Sequence, residues 1–212
     1  MFQKKKKMAS TNHSQTPNWF LAIPFNDNEK LCLKMKQIQN HITHKEPKLI
    51  DACVPIEKVH LTLFVFYTEN IEKVIEILKP VLQNYKLSSP MFQIKVENLG
   101  HFRNQTLFAH LNGFNEEFKI LWKKIGNLLV QNNIIHPKEI HEDKFKPHLS
   151  LMRLSLMKSR NLVKMINPAL YQDFNQIEFG VQSVQEIQVL SRTKPTQPNG
   201  HYHCEYRFQL QK

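Results

Sequence analysis

Apolar residues recur along this chain at two periods, one near two residues and one near three and a half, and their alternation predicts a mixed order of strands and helices. Residues 19–25 form a short apolar run, ended by Pro24 and the Asn26-Asp27-Asn28 turn, and read as a first strand. Asn28 is placed to cap a helix over residues 29–44, where Leu31, Met35, Ile38 and Ile42 share one face. Residues 45–56, with two prolines, read as a loop. A strand over 59–66 follows, then a helix over 71–85 with Ile71, Val74, Ile75, Leu78, Val81 and Leu82 as its stripe. Pro80 kinks or divides that helix. Strands are expected over 92–99 and 106–111, joined by residues 100–105, with Gly113 closing the second. A helix over 115–132 buries Phe118, Leu121, Trp122, Ile125, Leu128 and Leu129. A polar loop (136–144) leads to another strand over 146–154. Residues 155–174 read as loop and short helix, 184–190 as a strand, 197–200 as a tight turn, and 201–210 as the last strand.

Short hairpin-like links between strands point to an α+β fold with largely antiparallel sheets, not a doubly wound one. The length of 212 residues suits one domain or two closely fused lobes. Residues 1–17, rich in Lys, Ser, Thr, Asn and Gln, read as a disordered basic tail, and 18–212 as the folded domain.

One short pattern occurs twice in strand-like context. Lys58-Val59-His60-Leu61-Thr62 is followed by Leu63-Phe64-Val65-Phe66, and Lys146-Pro147-His148-Leu149-Ser150 by Leu151-Met152-Arg153-Leu154. Alternate residues of a strand share a face, so His60 joins Thr62 and His148 joins Ser150. Lys58 and Lys146 join them if the strands begin early enough. Leu61, Leu63, Val65, Leu149 and Leu151 are assigned to the core. Two such strands facing one another supply two imidazoles, one able to accept a proton while the other donates one. The hydroxyls and lysines can hold phosphate oxygens. That chemistry cleaves a phosphodiester without a metal. His41-Ile42-Thr43 matches the short pattern but lies within the first helix, where residues two apart diverge, and is rejected.

Composition narrows the partners. The net charge is +11, of which Lys4–Lys7 supply four. This favours nucleotides and RNA, and the lysine run is either a nuclear-import signal or a nonspecific nucleic-acid contact. The five glycines form neither a dinucleotide-binding fingerprint nor a P-loop. Cys32, Cys53 and Cys204 show no paired spacing, which suits a reducing compartment, cytoplasm or nucleus. His201-Tyr202-His203-Cys204 puts its cysteine on the other strand face from its histidines, so no metal and no cofactor are assigned. No run is long enough to span a membrane. Phe102, Tyr202 and Trp19 are candidates to stack on a base, and Phe102 stands out because it lies in a polar connection.

The paired H-x-(T/S) strands resemble the two-histidine (2H) phosphoesterase superfamily, which includes bacterial LigT-like RNA 2′,5′-ligases and cyclic phosphodiesterases. More narrowly, residues 145–155, 167–171, 179–180 and 199–205 resemble the phosphoesterase-like central domain of nuclear A-kinase anchoring proteins. The resemblance implies two pseudo-symmetric α/β lobes around a central cleft and cleavage of 2′,5′-oligoadenylate or other short RNA. It also implies binding of mononucleotides such as AMP. His60 and His148 would be the acid–base pair, and Thr62 and Ser150 the phosphate binders. Ser150 stands where the narrower relatives usually carry Thr, which keeps the hydroxyl. The last residues alternate like a strand and give no amphipathic helix, so a kinase regulatory subunit is not expected as a partner.

Overall fold

The computed structural model describes residues 15–83, 85, 92–159 and 163–210. Most of the expected tail, with Lys4–Lys7, lies outside them. Among the described residues eight strands and three α-helices follow in order: β1 (Trp19–Pro24), α1 (Glu29–Lys45), β2 (His60–Phe66), α2 (Ile71–Leu82), β3 (Gln93–Phe102), β4 (Thr106–Asn112), α3 (Glu116–Gln131), β5 (His148–Arg153), β6 (Glu178–Ser183), β7 (Glu186–Ser191) and β8 (Cys204–Gln209). Asparagine side chains start all three helices: Asn28 accepts from the N–H of Leu31 (3.2 Å), Asn70 from Lys73 (2.9 Å) and Asn115 from Phe118 (2.9 Å). No helix among the described residues is long and apolar enough to cross a membrane.

The strands form two antiparallel four-stranded sheets, ordered β2-β1-β7-β8 and β5-β4-β3-β6. Each His-bearing strand is thus an edge strand of its own sheet, and β2 and β5 touch one another. Both sheets turn one face to a single continuous core that includes Leu21, Leu61, Ile94, Leu149, Val189 and Phe208. The lobes are therefore two sheets over one shared interior. This is an α+β, bilobal arrangement, as the hydrophobic pattern requires.

Both edge strands break their alternation at the same step. Across β1, Thr62 pairs with Ala22 and Phe64 with Leu21, so Leu63 is an extra residue. Across β4, Ser150 pairs with Phe108 and Met152 with Leu107, so Leu151 is extra. A bulge of this kind reverses which residues face inward beyond it. Val65 therefore points outward, 42% exposed, and not into the core as strict alternation requires, while Phe64 is buried. Arg153 by the same rule comes onto the face of His148 and Ser150. The Leu151 bulge is held from behind: its carbonyl accepts from the N–H of Val54 (2.8 Å) and the buried Gln39 side chain (2.9 Å), which also donates to the Val54 carbonyl (2.8 Å).

Other boundaries move for local reasons. Residues 45–56 include a 3₁₀ turn, Pro47–Ala52. β3 runs on through Gly100, His101 and Phe102, and the chain reverses at Arg103 and Asn104, both left-handed (φ 51° and 55°). β6 is not visible in the sequence pattern: Val181 is exposed, Gly180 interrupts it, and Phe179 is an extra residue against β3. The last strand starts at Cys204, so His201–His203 belong to the preceding loop.

Replacing Gln39 with Met keeps the volume but removes the donor to both carbonyls. It should lower stability by about 1–3 kcal/mol. An unchanged urea midpoint would show that the amide does not hold the bulge.

Candidate active site

His60 and His148 are oriented by the same device. The Nδ1–H of His60 donates to the carbonyl of Lys58, and that of His148 to the carbonyl of Lys146, each at 2.7 Å. A carbonyl only accepts, so both rings carry their neutral-state proton on Nδ1 and leave the Nε2 lone pair available. The Thr62 hydroxyl lies 3.1 Å from Nε2 of His60 and can donate to it. Each device needs the two residues before its histidine to leave the strand direction. A 3₁₀ turn at Ile56–Lys58 does this for the first and Pro147 for the second.

Two aromatic rings flank each imidazole. Phe20 and Tyr202 lie 4.9 and 5.5 Å from His60, and Phe102 and Phe108 lie 5.0 and 5.3 Å from His148, centroid to centroid. A cavity of about 350 Å³ is lined by Thr62 and Leu63 of β2 and by Phe102, Phe145, Lys146 and His148; His60 is not part of its lining. Ser150 shares the outward face of His148. The Lys58 ammonium sits over the Tyr202 ring, 5.1 Å from its centroid. Trp19 is not placed with these groups. It is 6% exposed, on the core face of β1, with the Lys194 ammonium over its ring. Strand parity explains the difference, because Phe20 is the residue that faces the cleft.

The electrostatics favour uncharged imidazoles in the free protein. Burial lowers the His60 pKa from the ordinary 6.5 to about 4, although the residue is only partly buried. The nearby charges of Arg153, His201 and His148 act in the same direction, and the bond to the Lys58 carbonyl opposes them. Burial also lowers His148, helped by Arg153 and His110 and opposed by the Lys146 carbonyl. One guanidinium therefore acts on both rings, and its Nε is buried with no hydrogen-bond partner. An anion entering the cleft would offset that cation and let one imidazole take up a proton.

Arg153, Phe20, Phe108 and His110 were not visible as site residues. Arg153 has the parity of Leu149 and Leu151 until the bulge is known. Phe20 lies in a run apolar on both faces. His110 pairs with His148 across β4 and β5, a relation only the register gives. Its ring packs over Gly100, where an added Cβ would come within 2.5 Å of Nε2.

Among the described residues no three or more His, Cys, Asp or Glu side chains gather as a metal site would need. His201 bonds to the Glu57 carbonyl and the Gln188 side chain, and His203 to Glu205. His41, of the rejected third match, packs on Phe174.

The chain is similar over most of its length to proteins of one family. The family model described as "AKAP7 2′5′ RNA ligase-like domain" matches residues 17–210. Human A-kinase anchor protein 7 isoform gamma is 31% identical over 210 residues, covering 94% of this chain. This chain spans 59% of that protein. Among solved structures, TT0787 of Thermus thermophilus superposes with a TM-score of 0.60 at 18% identity, covering 91% of this chain and 97% of that one. E. coli LigT complexed with 3′-AMP gives 0.57 at 15% identity, covering 93% and 100%. At such identities these two are likenesses of fold.

The lowered His60 pKa has a consequence for stability. Below pH 6.5 the unfolded chain binds a proton that the folded ring refuses. Stability should therefore fall as the pH drops from about 6.5 towards 4, by on the order of 2–3 kcal/mol from this group, and level off below. Urea midpoints of wild type and His60→Gln across that range should diverge, with the shallower slope in the variant. Parallel curves would contradict the assignment.

Proposed function

Because this chain belongs to the AKAP7 2′5′ RNA ligase-like domain family, we propose that it is a phosphoesterase cleaving 2′,5′-linked oligoadenylate by histidine acid–base catalysis. The observation that carries the reading is the matched pair: two neutral imidazoles, each with Nδ1–H tied to a carbonyl two residues upstream at 2.7 Å. Both belong to edge strands that meet at one cleft. Binding a nucleotide requires no such matched orientation, whereas moving a proton on and off one phosphate does.

In the proposed reaction one imidazole takes the proton of the ribose 3′-OH next to the linkage. That oxygen attacks phosphorus and forms a 2′,3′-cyclic phosphate. The bond to the departing 5′-oxygen breaks, and the second imidazole gives that oxygen a proton. Thr62, Ser150, Lys58 and Lys146 hold the phosphoryl oxygens, and Arg153 stabilises the charge that builds on them. Burial, with a smaller push from the same cation, keeps the imidazoles neutral until the substrate anion arrives. Phe102 and Tyr202, each against one histidine, are the rings on which a base would stack. On the same reading the Lys4–Lys7 run directs nuclear import or adds a nonspecific contact to RNA.

Replacing either His60 or His148 with alanine should lower kcat on a 2′,5′-linked triadenylate by at least about 10²-fold. Wild-type activity should persist in excess chelator and yield 2′,3′-cyclic phosphate and 5′-hydroxyl ends. Full activity in either folded variant would reject the acid–base pair. Cleavage only of 3′,5′-linked trimers or of cyclic phosphates would keep the pair and reject the substrate. AMP binding with no turnover of any of these would make the domain a nucleotide-binding module.

A further inference from the structure

A second cavity lies beside His60. The strand partner of His60 is Pro24, and Pro24 lines this cavity of about 430 Å³ over the same face of the β1–β7–β8 sheet. Gln188, which pairs with Ala22, forms part of its floor. Its wall towards the catalytic pair is His201, whose Nδ1–H donates to the carbonyl of Glu57, three residues before His60 (2.7 Å). The turn before His201 is closed by the N–H of Gly200 on the Gln197 carbonyl (2.9 Å), with Gly200 left-handed (φ 83°). Its volume suits a ligand-sized pocket, and its position is next to His60.

Its chemistry differs from that of the cleft. Three of the six buried polar or charged side chains among the described residues line this one cavity: Gln182, Gln188 and His201. Buried polar groups cost stability unless bonded, and these are held in a network. Nε2 of His201 sits 2.9 Å from the Gln188 side-chain amide, and Gln188 reaches Glu186 at 2.5 Å. Gln182 donates to Asp27 (3.3 Å) and to the Ser183 carbonyl (3.2 Å) and accepts from Asn28 (3.0 Å), while Gln209 donates to Glu186 (2.7 Å). The rim adds Gln185, Asn199 and Gln209. Among the described residues no lysine lines the cavity, and its arginine, Arg207, is paired with Glu186 at 2.8 Å. With Asp27 and Glu186 present, a phosphate is disfavoured there. An amide oxygen has a second lone pair and an amide nitrogen a second hydrogen, so amides already bonded at one of each, such as Gln188, keep capacity to pair with a purine edge.

We infer that this amide-lined cavity is a subsite for one nucleoside of the substrate, its base read by the side-chain amides, on the His60 side of the scissile phosphate. The inference rests on the function proposed above and deepens it: the protein is built for a dinucleotide unit, with one nucleoside held against the aromatic rings and the other among amides.

The test compares 2′,5′-linked diadenosine monophosphate with two analogues, each lacking the adenine at one end. Two variants are used, Gln188→Met on the floor and Gln209→Trp on the exposed rim. The rim variant keeps the test alive if the floor variant fails to fold. Each should lower kcat/KM for the intact dinucleotide by roughly tenfold or more. The loss should disappear for the analogue missing the base at one particular end, and persist for the other. Equal losses on all three compounds, or no loss on any, would overturn the subsite. If the wild-type protein cleaves none of them, the phosphoesterase reading fails by itself. Calorimetric binding of the same three compounds then decides the subsite by the same pattern of losses.

Discussion

The site depends on one hydrogen bond made twice, from an imidazole Nδ1–H to the main-chain carbonyl two residues upstream. It fixes the ring plane, the tautomer and the outward direction of Nε2 in one contact. It requires that the chain leave its strand just before the histidine, since a carbonyl within a ladder is already engaged. The turn before His60 and the proline before His148 meet that need in different ways, with the same 2.7 Å result. A proton carrier held this way needs no carboxylate partner, and none is seen beside either ring among the described residues.

The second shared constraint is the bulge after each motif. Histidine, apolar residue, hydroxyl and one extra leucine occur at the same step of two edge strands in different sheets. Each strand has a full ladder on one side only, which leaves room for a bulge, and at β5 the short Cys53–Met152 bridge and the Val54 N–H meet the bulge from the other side. In one lobe the parity change exposes Val65, and in the other it turns Arg153 towards the cleft. The lobes are therefore alike in the imidazole and hydroxyl each presents and unlike in that only the second turns an arginine to the cleft. That asymmetry bears on chemistry, because acid and base cannot be identical groups in identical surroundings. The two rings already differ in their neighbours: His201 adds to the downward push on His60 and His110 to that on His148.

Much of this was legible in the sequence, and what was not has physical causes. Helical stripes such as Leu31, Met35, Ile38 and Ile42 and the Asn28 cap are local signals, and the elements formed where they indicate. The pairing of His60 with Thr62 and His148 with Ser150 on one face follows from strand parity alone. Parity failed beyond Leu63 and Leu151, because a bulge is set by the partner strand and by groups such as Gln39 that approach from elsewhere. β6 was missed because it pairs on one side only and carries Gly180 and an exposed Val181. Phe20 and Trp19 could not be told apart as cleft and core rings until sheet order showed which face of β1 met the interior.

The central claim is that two oriented, uncharged imidazoles serve one phosphate. The direct measurement is ¹⁵N NMR of the His60 and His148 side chains near neutral pH, with and without AMP. The account predicts both rings neutral and protonated on Nδ1 in the free protein, and both perturbed together as AMP binds. A ring protonated on Nε2, or a response confined to one histidine, would contradict it.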